Sequence, residues 1–83
     1  MLKVYGTMQC PDCVECKRAL DKAGIAYEFK NVEELLVLKE FLQLRDKNAE
    51  FAVCKQEGYI GIPCLVLEDG KITLDFNELV ENK

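Results

Sequence analysis

Eighty-three residues are enough for one core and too few for two, so a single domain over residues 1–83 is expected. With 49% hydrophobic and 31% charged residues the chain has the balance of an ordinary globular protein. Its formal net charge of −4, with Lys and Arg scattered singly, excludes the clustered basic face that nucleic acid requires.

There is no histidine, which removes the commonest general base, the imidazole metal ligand and any Cys–His pair; sulfur has to carry the chemistry. The opening "MLKVYG" has no apolar run followed by a cleavage site, and no stretch approaches the roughly 20 apolar residues that span a bilayer. These features point to a cytoplasmic protein without a membrane partner. In a reducing compartment five cysteines are not a set of structural disulfides, and the odd number leaves at least one thiol free in the monomer that is expected.

In chain order, "LKVYG" is β-prone and ends at Gly6, giving a first strand. "VECKRALDKAG" has helical composition from near Pro11, with Val14, Ala19, Leu20 and Ala23 apolar and Gly24 just past its end. "IAYEF" at 25–29 alternates Ile25, Tyr27 and Phe29 against Ala26 and Glu28, the pattern of a strand with one packed face. Asn31 is positioned to cap a second helix, with Glu33 and Glu34 in its first turn and an apolar stripe through Leu35, Leu38, Phe41 and Leu42. That stripe, with Phe51 and Tyr59, reads as core, and the charged positions of the helix as a solvated face. The helix should break near Asp46 to Asn48, restart through Glu57 and stop at Gly58. "GIPCLVLEDGKITLDF" then reads as a hairpin turning at Asp69-Gly70. "DFNELVENK" closes the chain as a short helix with Asp75 as cap and Glu78 three residues on.

The order β-α-β-α-β-β-α implies parallel first and second strands, because a β-α-β unit crosses over in one hand. The hairpin adds an antiparallel pair, so the expected fold is an α/β mixed sheet flanked by helices. Cys10 falls between the first strand and the first helix. Pro11 suits the first helical position, which puts Cys10 at or beside the N-cap. There the unpaired N–H groups and the positive end of the helix dipole favour the thiolate, the species that attacks, while the neighbouring Asp12 opposes this. Cys13 lies one turn further in and within disulfide reach. The reading is therefore a dithiol, with Cys10 attacking and Cys13 resolving the mixed disulfide.

"CPDC" after a first strand and "GIPC" before a later hairpin resemble glutaredoxin and the wider thioredoxin-fold family over nearly the whole chain. The resemblance implies a thioredoxin-like, glutaredoxin-type fold and a thiol–disulfide oxidoreductase needing no organic cofactor. It also implies a cis Pro63 abutting the reactive cysteine, with the backbone of Ile62 pairing with an extended substrate. The partners implied are a disulfide-containing protein or small-molecule thiol. Glutathione-using members carry a Lys just upstream of the motif and a Gly-Gly after the hairpin. Here Thr7, Met8 and Gln9 precede it, and Leu74 and Asp75 stand in place of the glycines, so the reductant need not be glutathione.

The alternative is a metal or iron–sulfur module built on C-x-x-C-x-x-C, with Cys10, Cys13, Cys16 and a fourth sulfur from Cys54 or Cys64. The simpler reading of Cys16, Cys54 and Cys64 is small buried hydrophobes, with no metal held.

Overall fold

The sheet is assembled on β1 (Leu2–Gly6), which pairs on both sides. Here and below the molecule is a computed structural model, which describes residues 1–81. On one side β1 runs parallel to β2 (Tyr27–Asn31), in register from Leu2 opposite Tyr27 to Gly6 opposite Asn31. On the other it runs antiparallel to β3 (Cys64–Val66), with Val4 opposite Leu65, and β3 pairs antiparallel with β4 (Ile72–Thr73). The strand order is β2-β1-β3-β4. Among the described residues four helices cover it: α1 (Pro11–Lys22), α2 (Leu35–Lys47), α3 (Ala52–Glu57) and α4 (Asn77–Glu81), with a 3-10 turn, Ala49–Phe51, joining α2 to α3. The final two residues of the expected last helix lie outside the described residues. None of the described helices is long and apolar enough to cross a membrane.

Alternation along β1 sends side chains to two cores. Leu2 and Val4 pack with Leu65 and with Cys16 and Leu20 of α1, and Phe76, Leu79 and Val80 close over them from the chain's end. Tyr5 points to the other face, where Phe41 of α2, Phe51, Val32, Cys64 and Ile72 are gathered. Phe41 and Phe51 meet edge to face, their ring centres 5.9 Å apart at 77°, in the geometry that aromatic quadrupoles favour.

Several boundaries differ from the sequence reading. Ile25 and Ala26 are not in β2. The Ile25 N–H instead reaches back to the Leu20 carbonyl at 3.0 Å and the Gly24 N–H to the Asp21 carbonyl at 3.1 Å, with Gly24 at φ 71°. This is a Schellman ending of α1, and Ile25 is the apolar residue that packs back beside Leu20. Asn31 is the last residue of β2 rather than a helix cap, and Glu34 takes the cap position without a side-chain bond. Leu35 and Leu36 are 78% exposed, so the core stripe of α2 begins only at Val37 and Leu38. Leu42 and Tyr59 are also exposed, against the reading of both as core. The polar face of α2 is not merely solvated: Glu40 accepts hydrogen bonds from Tyr5 (2.5 Å) and Lys30 (3.0 Å). Asp75 lies one residue ahead of the cap position of α4, its carboxylate accepting from the Asn77 N–H at 3.0 Å, while the Glu78 carboxylate accepts from the Thr73 hydroxyl at 3.1 Å.

Candidate active site

Cys10 is the N-cap of α1, with extended backbone (φ −98°, ψ 120°), and Pro11 is the first helical residue. Its carbonyl accepts the first helical bond from the Val14 N–H (3.1 Å), and its own N–H donates to the Thr7 carbonyl (3.1 Å). The loop from Thr7 to Cys10 is thus a closed turn, tightened by the Gln9 N–H donating to the Thr7 hydroxyl at 3.2 Å. Cys10 is partly exposed, whereas Cys13, one turn on, is fully buried. Burial pushes the Cys13 thiol up to about 12. The Thr7 backbone bond acts the other way, and the hydrogen bond with the Cys10 thiol raises it further. The two thiols are therefore close neighbours, one at the surface and one beneath it.

Cys13 has room because the strand facing it ends in glycine. A Cβ on Gly6 would lie 2.7 Å from the Cys13 sulfur and 3.3 Å from its Cβ. Gly6 was legible as the end of a strand; its contact with the thiol was not.

A groove of about 660 Å³ opens over Cys10. Thr7, Gln9 and Asp12 form one wall, and Tyr59, Ile60, Gly61, Ile62 and Pro63 the opposite one, with Leu74 and Cys54 completing the lining. The Ile62–Pro63 peptide is cis, as the resemblance implied. The loop from Tyr59 to Ile62 is fixed from two directions. The Arg45 side chain donates through Nε to the Ile60 carbonyl (3.0 Å) and through Nη2 to the Tyr59 carbonyl (2.9 Å). Gly61 sits at φ 97° where a Cβ would meet the Phe51 ring at 2.9 Å, so both the conformation and the space demand glycine.

Sequence reasoning missed Tyr59 and Ile60, more than 60% exposed on this wall, and Arg45 behind it. It also missed Glu33. Instead of lying in the first turn of α2, its carboxylate takes hydrogen bonds from the Thr7 hydroxyl (2.6 Å) and the Gln9 amide (2.8 Å). The available signal was Asn31: an Asx turn, closed by the Glu33 N–H on Asn31 Oδ1 at 3.0 Å, competes with a cap at the same place.

Of the remaining three cysteines, two lie in separate cores. Cys16 is buried with Leu2, Val4 and Leu20; Cys64 is buried on the opposite face with Tyr5 and Phe41. Burial pushes the Cys16 thiol up to about 11 and the Cys64 thiol up to about 12. The sheet lies between these two, so the four-sulfur set with Cys64 does not come together. Among the described residues no group of three or more Cys, Asp or Glu is arranged to hold a metal ion. Cys54 is buried at the floor of the groove, its sulfur 3.5 Å from where a Gly61 Cβ would be.

Comparison with known proteins agrees with this architecture. The chain is 42% identical, over 71 residues, to an uncharacterized protein of Haemophilus influenzae, covering 84% of this chain and 83% of that one. Among solved structures it superposes on a glutathione transferase homologue from Sulfitobacter, determined with bound glutathione. The TM-score is 0.56 at 22% identity, over 99% of this chain. The chain spans about a third of that protein (35%), and the likeness is one of fold, the thioredoxin-like mixed sheet flanked by helices. The glutaredoxin family model matches residues 2–72, a stretch that takes in both motif cysteines and the cis-proline loop. The chain belongs to the glutaredoxin family.

Proposed function

We infer that this chain is a dithiol thiol–disulfide oxidoreductase in which Cys10 is the nucleophile and Cys13 the resolving thiol. Membership of the glutaredoxin family gives it a thiol-oxidoreductase-like role. The observation that carries the finer reading is the pairing of a partly exposed N-cap thiol, open to a groove, with a buried thiol close to it one turn below. The Cys10 sulfur attacks a disulfide R–S–S–R, forming the mixed disulfide and releasing R–S⁻, which takes a proton from water. Cys13 then loses its proton and displaces the second R–S⁻, closing a Cys10–Cys13 disulfide. Two protein thiols are oxidised by two electrons, and one disulfide is reduced to two thiols. Ile62 and Pro63 form the docking edge, with the Ile62 backbone pairing with an extended substrate segment. A disulfide-bearing protein or small-molecule disulfide is the substrate. The reductant need not be glutathione: Thr7 and Gln9 are bound to a carboxylate, and Leu74 puts a side chain on the groove.

The test is a redox titration of the full chain with alkylation and mass mapping. A Cys10–Cys13 disulfide forming in one two-electron step between about −270 and −200 mV is expected. Cys13→Ser should accumulate the mixed disulfide on Cys10, and Cys10→Ser should form none. Pairing of Cys16 in place of either thiol would defeat the assignment.

A further inference from the structure

Glu33 reaches the groove from outside it. The Asx turn at Asn31 directs its side chain away from α2 and toward the loop before Cys10, where both carboxylate oxygens are occupied by neutral donors, the Thr7 hydroxyl and the Gln9 amide. Neither donor neutralises it, and among the described residues no Lys or Arg forms an ion pair with it. Thr7 and Gln9 themselves line the groove, so the charge is held directly behind its wall. The lining adds to this sign: among the described residues the one charged side chain in it is Asp12, and none is basic. Arg45 lies behind the opposite wall with two N–H groups given to backbone carbonyls.

We propose that Glu33 is a specificity-determining residue. Its fixed carboxylate makes the approach to Cys10 electronegative, so the site selects disulfides flanked by cationic groups over those flanked by anionic ones. This rests on Cys10 being the nucleophile. A charge held in place by two hydrogen bonds meets substrate charge without having to be ordered first, and a protein disulfide in a Lys- or Arg-bearing segment is the complementary substrate. The same field disfavours small anionic thiols and their disulfides. Glu33 touches no reacting atom; it acts through Thr7 and Gln9 and through space.

The experiment compares two small disulfides of opposite charge, cystamine and dithiodiglycolate, by stopped-flow oxidation of the reduced full chain at low ionic strength. The ratio of their rate constants is the readout, because a general loss of folding or reactivity cancels from it. Glu33→Gln is expected to lower the cystamine-to-dithiodiglycolate ratio by about three- to tenfold. Glu33→Asp keeps the charge and retains most of the wild-type ratio. About 1 M KCl, where the screening length is roughly 3 Å, brings the wild-type ratio down to that of Glu33→Gln or below, since it also screens Asp12. An unchanged ratio in Glu33→Gln, or an equal fall in Glu33→Asp, overturns the proposal. Cys10→Ser is run alongside. If it is silent while the Glu33 ratio does not move, only the specificity claim fails; if it reacts like wild type, the nucleophile assignment fails and the proposal with it.

Discussion

Gly6 and Cys13 form a contact that neither residue announces alone. The missing Cβ on the last residue of β1 is the space into which a thiol from α1 fits. Gly6→Ala would force that thiol or the strand to move, at a cost of about 1–3 kcal/mol. A urea midpoint lowered by that amount, together with slower closure of the Cys10–Cys13 disulfide, is the expected result; an unshifted midpoint would show that the helix gives way freely. The burial that fixes Cys13 also sets how it titrates. With its thiol held up at about 12, the reactive thiolate is a minor species at neutral pH. In the proposed mechanism release of the second thiol needs the Cys13 thiolate, and it should therefore rise about tenfold per pH unit from pH 7 to 9. A plateau within that range, seen by stopped-flow at a series of pH values, would contradict burial as the controlling effect.

Among the elements, α2 departs furthest from its sequence pattern, and two of the departures bear on the site. Its first two leucines are exposed, its Asn31 cap is taken up by β2, and its one long basic side chain of consequence, Arg45, clamps the loop before the cis-proline. Arg45→Lys keeps the charge but cannot reproduce the two-pronged grip on successive carbonyls. Substrate affinity should weaken several-fold, with stability reduced by about 0.5–1.5 kcal/mol, the worth of a hydrogen bond or so. A Km for a peptide disulfide that equals the wild-type value would mean that the loop is held without Arg45. By contrast Phe41, on the same helix, is pure core. Fully buried between Tyr5 and Phe51, its truncation to Ala should cost about 3–5 kcal/mol in a denaturant titration, and a loss below about 1 kcal/mol would refute its central place.

For the molecule as a whole, three buried thiols and two tyrosines share one pH dependence. Cys13, Cys16 and Cys64 are raised from an ordinary 9.0 to about 12, 11 and 12, chiefly by burial. Tyr27 is raised from 10.0 to about 12, by burial and then by its bond to Asp21, and Tyr5 is raised as well. A folded-state value above the unfolded one means the native state holds its protons longer. The stability these groups contribute is full below pH about 9 and is lost as pH climbs toward 11–12. Urea midpoints under a non-thiol reductant should stay level between about pH 7 and 8.5 and fall steadily above pH 9. A midpoint that is flat to pH about 10.5 would mean that these groups are not shielded as the fold implies.

What the sequence determined by itself is whatever depends on neighbours along the chain. The β-α-β-α-β-β-α order with its second helix broken near Asn48 into α2 and α3, Pro11 opening the first helix with Cys10 at its cap, the stop at Gly58 and the turn at Asp69-Gly70 all follow from local propensity, backbone geometry and short-range hydrogen bonding. That Cys10 and Cys13 lie close together was legible for the same reason, the two being three residues apart on one turn. What only the tertiary structure decided are the outcomes of competition between distant groups. The β1–β2 register, not the alternation at 25–29, moved the second strand to Tyr27–Asn31. Cys16 and Cys64 were separated by the sheet that β1 and β3 build between them. Glu33, an unremarkable acid near a helix start, became part of the site when a parallel strand pairing brought the ends of β1 and β2 side by side and set its carboxylate within reach of Thr7 and Gln9. Spacing in sequence carries no record of such contacts, because they depend on which face of which strand meets which loop.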